Sequence, residues 1–216
     1  MSSQTDPSTV PAAHRQAKYQ VRFDWAADGA AAVTADADVV VWVDAIEDRP
    51  VAEADALPGT GAVVASGLAD AAAVAEWILA EQVRLGRRAM VALVAAGGTS
   101  AGGGTRFAVE DLLAAGAVVD ALATLGIDYS SPEAAAACAA FTGLRGAVAH
   151  LLTASASGQE RIAAGRTSRR SPPPGGSARS ARSACCEPPE RSVRSPLPRN
   201  DPARTGVQCS QEVLHP

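Results

Sequence analysis

The side chains best suited to chemistry in this 216-residue sequence are acids at the ends of apolar runs. Asp44 directly follows Val39-Val40-Val41-Trp42-Val43, the most apolar stretch of the chain. Open α/β sheets bind ligands outside the carboxyl ends of their strands. A carboxylate there is suited to Mg²⁺, a hard cation that takes oxygen ligands and keeps several waters. The same Asp would also serve in a plain turn that ends a strand. A second set is Arg106 with Glu110 and Asp111, at the start of a helical pattern over residues 109–125. Successive helical residues point about 100° apart, so Glu110 and Asp111 do not form one bidentate ligand. One can face the sheet edge while the other faces solvent. Arg106 can pair with a phosphate or with a carboxylate. An acidic first turn also complements the helix dipole with no ligand at all. Ahead of this set lie residues 97–105, with five glycines in nine positions. Backbone amides of such a loop can cradle a phosphate at a helix start, and a plain surface loop has the same composition. No Gly-Lys-Ser/Thr follows it, so it is not a Walker A loop.

The remaining reactive types carry less. Cys138 stands in an alanine run and reads as a small core thiol, with no histidine beside it to make it a nucleophile. Cys185 and Cys186 are adjacent, and zinc sites need a gap between paired cysteines. His14 and His215 lie near the chain ends, and His150 falls in a helical pattern. No Ser/His/Asp triad is indicated.

Several elements must position these groups. Residues 19–25 alternate apolar and polar, which predicts a half-buried strand. Asp28-Gly29 predicts a turn, with a short helix over 30–35. Residues 39–43 predict a central strand buried on both faces. A polar loop follows over 45–60, then a weaker strand over 61–65. Residues 68–86 show helical spacing closed by Gly86. A strand is predicted over 89–94 and a long helix over 109–125, ended by Gly126. Ser131-Pro132-Glu133 predicts a helix start with Pro at the first position. Helices are then expected over 133–141, 143–153 and 157–164. Strand and helix alternate, so the expected fold class is α/β, a layered sheet with flanking helices.

Charge divides the chain. Residues 1–165 hold 10 Lys/Arg and 19 Asp/Glu, and residues 166–216 hold 9 Arg and 4 Asp/Glu. The last 51 residues also carry 9 of the 14 prolines and no Phe, Tyr, Trp, Ile or Met. Such a segment cannot bury enough apolar surface to offset chain entropy of ~1–2 kcal/mol per residue. The expected organisation is a disordered arm over 1–18, an α/β domain over 19–165 and a disordered Arg/Pro/Ser-rich tail over 166–216. The tail has the charge to touch phosphates but no interleaved aromatics for base stacking, so no nucleic-acid partner is expected. No apolar run reaches the ~18 residues of a membrane span, and residues 1–16 lack a signal-type apolar core. The expected location is cytoplasmic, with no membrane partner.

At this point a resemblance enters. Residues 19–25 (YQVRFDW), 38–44 (DVVVWVD), 73–78 (AVAEWI) and 107–118 (FAVEDLLAAGAV) stand in an order similar to that of the 2-phosphosulfolactate phosphatase family. Residues 131–141 (SPEAAAACAAF) and 155–160 (SASGQE) extend it, to about 17–165 in all. The most specific element is the pattern formed by Arg106, Glu110, Asp111, Ala115 and Gly116. The resemblance implies a phosphosulfolactate phosphatase-like α/β fold and a Mg²⁺-dependent phosphatase. Such an enzyme hydrolyses 2-phosphosulfolactate to sulfolactate and phosphate, a step of coenzyme M biosynthesis, so the implied partner is a small phosphorylated substrate. It implies Asp44 as a strand-end acid or metal ligand, Glu110 and Asp111 as metal or acid/base groups, and Arg106 as a phosphate contact. It also implies an Arg and a hydroxyl run after the strand-end acid, where this chain has Ala45-Ile46-Glu47-Asp48-Arg49-Pro50. The alternative function is therefore a catalytically silent homologue that binds a small ligand or a protein. After Gly165 the resemblance implies an apolar helix of Asp-Val-Ala type. If codons 166–171 read CGG-ACG-TCG-CGG-CGG-TCG, one base earlier they give Asp-Val-Ala-Ala-Val, so a shifted reading frame is expected at this point.

Overall fold

The β-branched run 39–43 forms an inner strand, as its composition predicts. In the computed structural model, residues 10–46 and 61–165 are described. Strands β1 (Val21–Trp25), β2 (Val39–Val43), β3 (Ala62–Ser66) and β4 (Val91–Ala95) build one sheet in the order β1-β4-β2-β3. All three pairings are parallel, with Val41 opposite Leu93 on one side and Val64 on the other. Every side chain of β2 and of β4 is buried, as expected where helices cover both faces.

The two faces carry different layers. Helix α1 (Ala26–Val33) lies on one, where Ala30 and Val33 pack with Val40, Trp42, Ala92 and Val94. The other face takes α2 (Ala71–Leu85), α3 (Val109–Thr124) and α4 (Pro132–Leu144). There Val39, Val41, Val43, Val91 and Leu93 meet Ile78, Val118 and Leu122. The alternation of odd and even positions between these clusters is the period-two geometry of a strand. Between β4 and α3, residues 97–105 do not form a plain surface loop. They carry a two-residue antiparallel hairpin, β5 (Gly98–Thr99) with β6 (Thr105–Arg106). After α4 come a 3-10 turn (Arg145–Ala147), α5 (Val148–Ala154) and α6 (Ala156–Ala163).

Helix α4 starts where the sequence places it. Pro132 occupies the first turn and the Ser131 hydroxyl accepts the Ala134 amide at 3.1 Å. Gly86 closes α2 with φ +65°.

Three expectations are corrected. First, Asp28-Gly29 is not a turn, because α1 begins directly after β1 and runs through both. A Cβ on Gly29 would lie 2.6 Å from the Asp24 carboxyl, so this glycine serves close helix–strand approach. The junction bends at Ala26, whose φ of +50° costs an L residue roughly 1–2 kcal/mol. Second, β1 is not half-buried. Arg22, on its polar face, is only 1% exposed. All five of its donors are used, by the carbonyls of Ala17, Tyr19 and Val33 and by both oxygens of Asp36. The expected arm over 1–18 also departs from its reading at 10–18. Ala12–Arg15 form a 3-10 turn, and the Gln16 side chain pairs with the Phe23 backbone along the edge of β1. Third, the stretch Pro132–Ala154, which spans α4, the 3-10 turn and α5, is long and apolar enough by length and composition to cross a membrane. Its inner side, Ala134 and Ala137, packs in the core cluster of the domain. The rest of the arm, the 45–60 loop beyond Ile46 and the tail with its three cysteines lie outside the described residues.

Candidate functional site

The carboxyl ends of β1, β4, β2 and β3 are Trp25, Ala95, Val43 and Ser66. Beyond them lie Ala26, Gly97, Asp44 and Gly67, so the four strands end along one edge of the sheet. Helix α3 starts at that edge because the hairpin returns the chain there after β4. Its first turn carries Glu110 and Asp111.

Asp111 joins the ends of two strands. Its Oδ1 accepts the Ala45 amide at 2.9 Å, and its Oδ2 accepts the Gly97 amide at 2.9 Å. The carboxylate thus ties the turn after β2 to the loop after β4. Asp44, Glu110 and Asp111 are 7%, 2% and 3% exposed. Burial pushes the Asp111 carboxyl up to about 7. The two amides oppose that rise, and the charges of Asp44 and Glu110 add to it. Asp44 is therefore close enough to Asp111 for their charges to interact, and its Oδ1 also accepts the Ile46 amide at 3.2 Å.

Arg106 lies over the glycines of the hairpin. A Cβ on Gly98 would stand 3.2 Å from its Nε and 3.3 Å from Nη2, so glycine is what lets the guanidinium rest on the main chain. Gly97 is as tightly held. With φ +66°, it has the Arg106 carbonyl 3.0 Å and the Trp25 ring 3.5 Å from where a Cβ would be. Asp44 and Asp111 thus meet through charge and Asp111 reaches Gly97, while Arg106 is adjacent through Gly98. No distance brings Arg106 into contact with either acid.

Two further groups lie near the strand ends. Ser66, 2% exposed, puts a hydroxyl at the end of β3, where it donates to the Gly67 carbonyl at 3.0 Å. Arg161, from α6, donates through Nη1 to the Ile46 carbonyl two residues beyond Asp44, and its buried Nε has no partner among the described residues. The two residues are 115 positions apart, and no local spacing signals that meeting. Asp24, at the end of β1, is a further acid held above the usual carboxylate range, chiefly by burial. Cys138 is a free, partly buried thiol on α4 and packs against the core.

Among the described residues, no group of three or more His, Cys, Asp or Glu converges to hold a metal ion. The donor set is the Asp44–Asp111 pair. The Asp111 carboxyl is raised chiefly by burial, with the charges of Asp44 and Glu110 adding to it, and a cation would relieve that added repulsion. Mg²⁺ is often held by one or two carboxylates with water and substrate phosphate completing its shell. The pair fits that ion, and does not fit a metal that needs a cage of protein ligands. Compared with known protein families and with curated proteins, the sequence finds no match.

Proposed function

We propose that the chain is a Mg²⁺-dependent phosphomonoester hydrolase of the 2-phosphosulfolactate phosphatase type, with a small anionic phosphoester as substrate. The observation that carries this reading is the buried acid pair at the carboxyl edge of a parallel sheet, with Arg106 on the neighbouring glycine hairpin. Asp44 and Asp111 would hold the cation, whose chemistry is to neutralise phosphoryl oxygens and polarise them toward attack. Arg106 neutralises a further oxygen of the phosphoryl group. Arg161 supplies a second guanidinium beside the turn after Asp44, where the resemblance implies an arginine within the turn itself. Glu110 takes the proton of the attacking water as the new P–O bond forms. The ester P–O bond breaks, and the proton passes to the departing alkoxide.

The test is release of inorganic phosphate from 2-phosphosulfolactate, with and without Mg²⁺. We expect metal-dependent turnover, lowered by roughly a hundredfold or more in Asp44→Asn and in Asp111→Asn, on the scale of the several kcal/mol of charge stabilisation that a held cation supplies. A second reading is a silent homologue that binds small anions. It is favoured by the commitment of both Asp111 oxygens to backbone amides, which is a structural duty. No turnover from folded protein, together with retained phosphate binding, would select it.

A further inference from the structure

A row of three aromatic rings runs from the core out to the candidate site. Phe23 is buried, and its ring meets Trp25 edge-on with centroids 5.4 Å apart. Trp25 in turn meets Phe107 at 5.3 Å with the rings tilted by 51°. Phe107 is 58% exposed. Isolated apolar residues on a surface need no explanation, but this ring is not isolated. It is backed by Trp25, which is backed by the core, so its position is fixed before any ligand arrives. The residue before it is Arg106, whose guanidinium lies over Gly98, while Trp25 lies over Gly97. Cation and ring platform therefore sit on consecutive residues and rest on consecutive glycines. Gly97, which the Trp25 ring borders, is also the residue whose amide Asp111 holds, so the platform lies next to the acid end of the candidate site.

We propose that the substrate accepted at this edge carries a flat ring next to its phosphoryl group, with Phe107 on Trp25 as the surface that receives the ring. Aryl and arylmethyl phosphomonoesters are the class that fits. The proposal rests on the phosphatase reading for the anion and goes beyond it for the rest of the molecule. Sulfolactate has no ring to place there.

The experiment compares phenyl phosphate with glycerol 2-phosphate on the full chain with Mg²⁺, in wild type, Phe107→Ala and Phe107→Tyr. The readout is the ratio of the two kcat/KM values, in which any loss common to both esters cancels. We expect a wild-type ratio of roughly five to ten in favour of phenyl phosphate, the size of one aromatic contact. It should fall to about one in Phe107→Ala and be kept in Phe107→Tyr. A wild-type ratio near one, or a ratio unmoved by Phe107→Ala, overturns the proposal. If neither ester is hydrolysed, phosphate release from 2-phosphosulfolactate still decides the phosphatase reading, and calorimetry with phenylphosphonate against methylphosphonate decides the ring question alone. Tighter phenylphosphonate binding lost in Phe107→Ala would sustain it. Equal binding, or none, would end it.

Discussion

Asp111 does two things that oppose each other. As a carboxylate it is a good acceptor for the Ala45 and Gly97 amides, yet burial beside Asp44 and Glu110 holds its proton up to about 7. A folded-state value raised above 3.8 contributes stability that is fully present below the unfolded value and is lost as pH rises through about 7. Asp36 works in the other direction. Its pairing with Arg22 lowers its carboxyl, so its contribution is present above 3.8 and lost as pH falls below it. The domain should therefore be most stable in mildly acid solution and weaken between about pH 4 and 7, by at most about 4 kcal/mol from Asp111. Thermal denaturation across that range checks this. Asp111→Asn should flatten the slope above pH 5, and Mg²⁺ should raise the wild-type midpoint more at pH 8 than at pH 5. A slope that persists in Asp111→Asn would assign it to another group. At this scale the sequence was partly readable. Asp44, Glu110 and Asp111 stand out as acids bordering apolar elements. Arg161 does not, since its partner carbonyl is 115 residues away and only the folded chain brings them together.

At the scale of elements, the glycines explain both the successes and the failures. Gly86 and Gly126 end helices with φ of +65° and +84°, the local role their positions announce. Gly29 and Gly116 sit inside helices for tertiary reasons, and local pattern misreads the first as a turn. Gly116 belongs to the pattern that suggested a family, and packing gives it a physical role. A Cβ there would collide with the Ala137 carbonyl of α4, so it sets how closely α3 and α4 approach. Gly116→Ala should destabilise the domain by about 2–3 kcal/mol, the upper range of core overpacking. The urea midpoint measures it, and an unchanged midpoint would mean the two helices have room to part. The glycine hairpin over 97–105 was not readable as β structure. Two-residue strands leave no periodicity, and only the Gly98–Arg106 register reveals them.

At the scale of the whole domain, the sheet treats its two edges differently. Along β1, the outward amides of Val21, Phe23 and Trp25 are bound by the Tyr129 carbonyl, the Gln16 side chain and Asp24. The Val21 and Phe23 carbonyls are bound by the Ser131 amide and again by Gln16. Along β3, among the described residues, no strand pairs on the far side. Its sequence is Ala-Val-Val-Ala-Ser, with Val63 41% exposed and no charge to deter a neighbour. If wild type associates through this edge as concentration rises in sedimentation, Val63→Lys should suppress it and leave the denaturation midpoint within about 0.5 kcal/mol, as for other surface substitutions. In the language of polymer chemistry, the described residues make the sheet a monofunctional unit, capped at β1 and open at β3. Two copies joined through β3 would present only capped ends, so growth through strand pairing would terminate at the pair rather than propagate into a fibre.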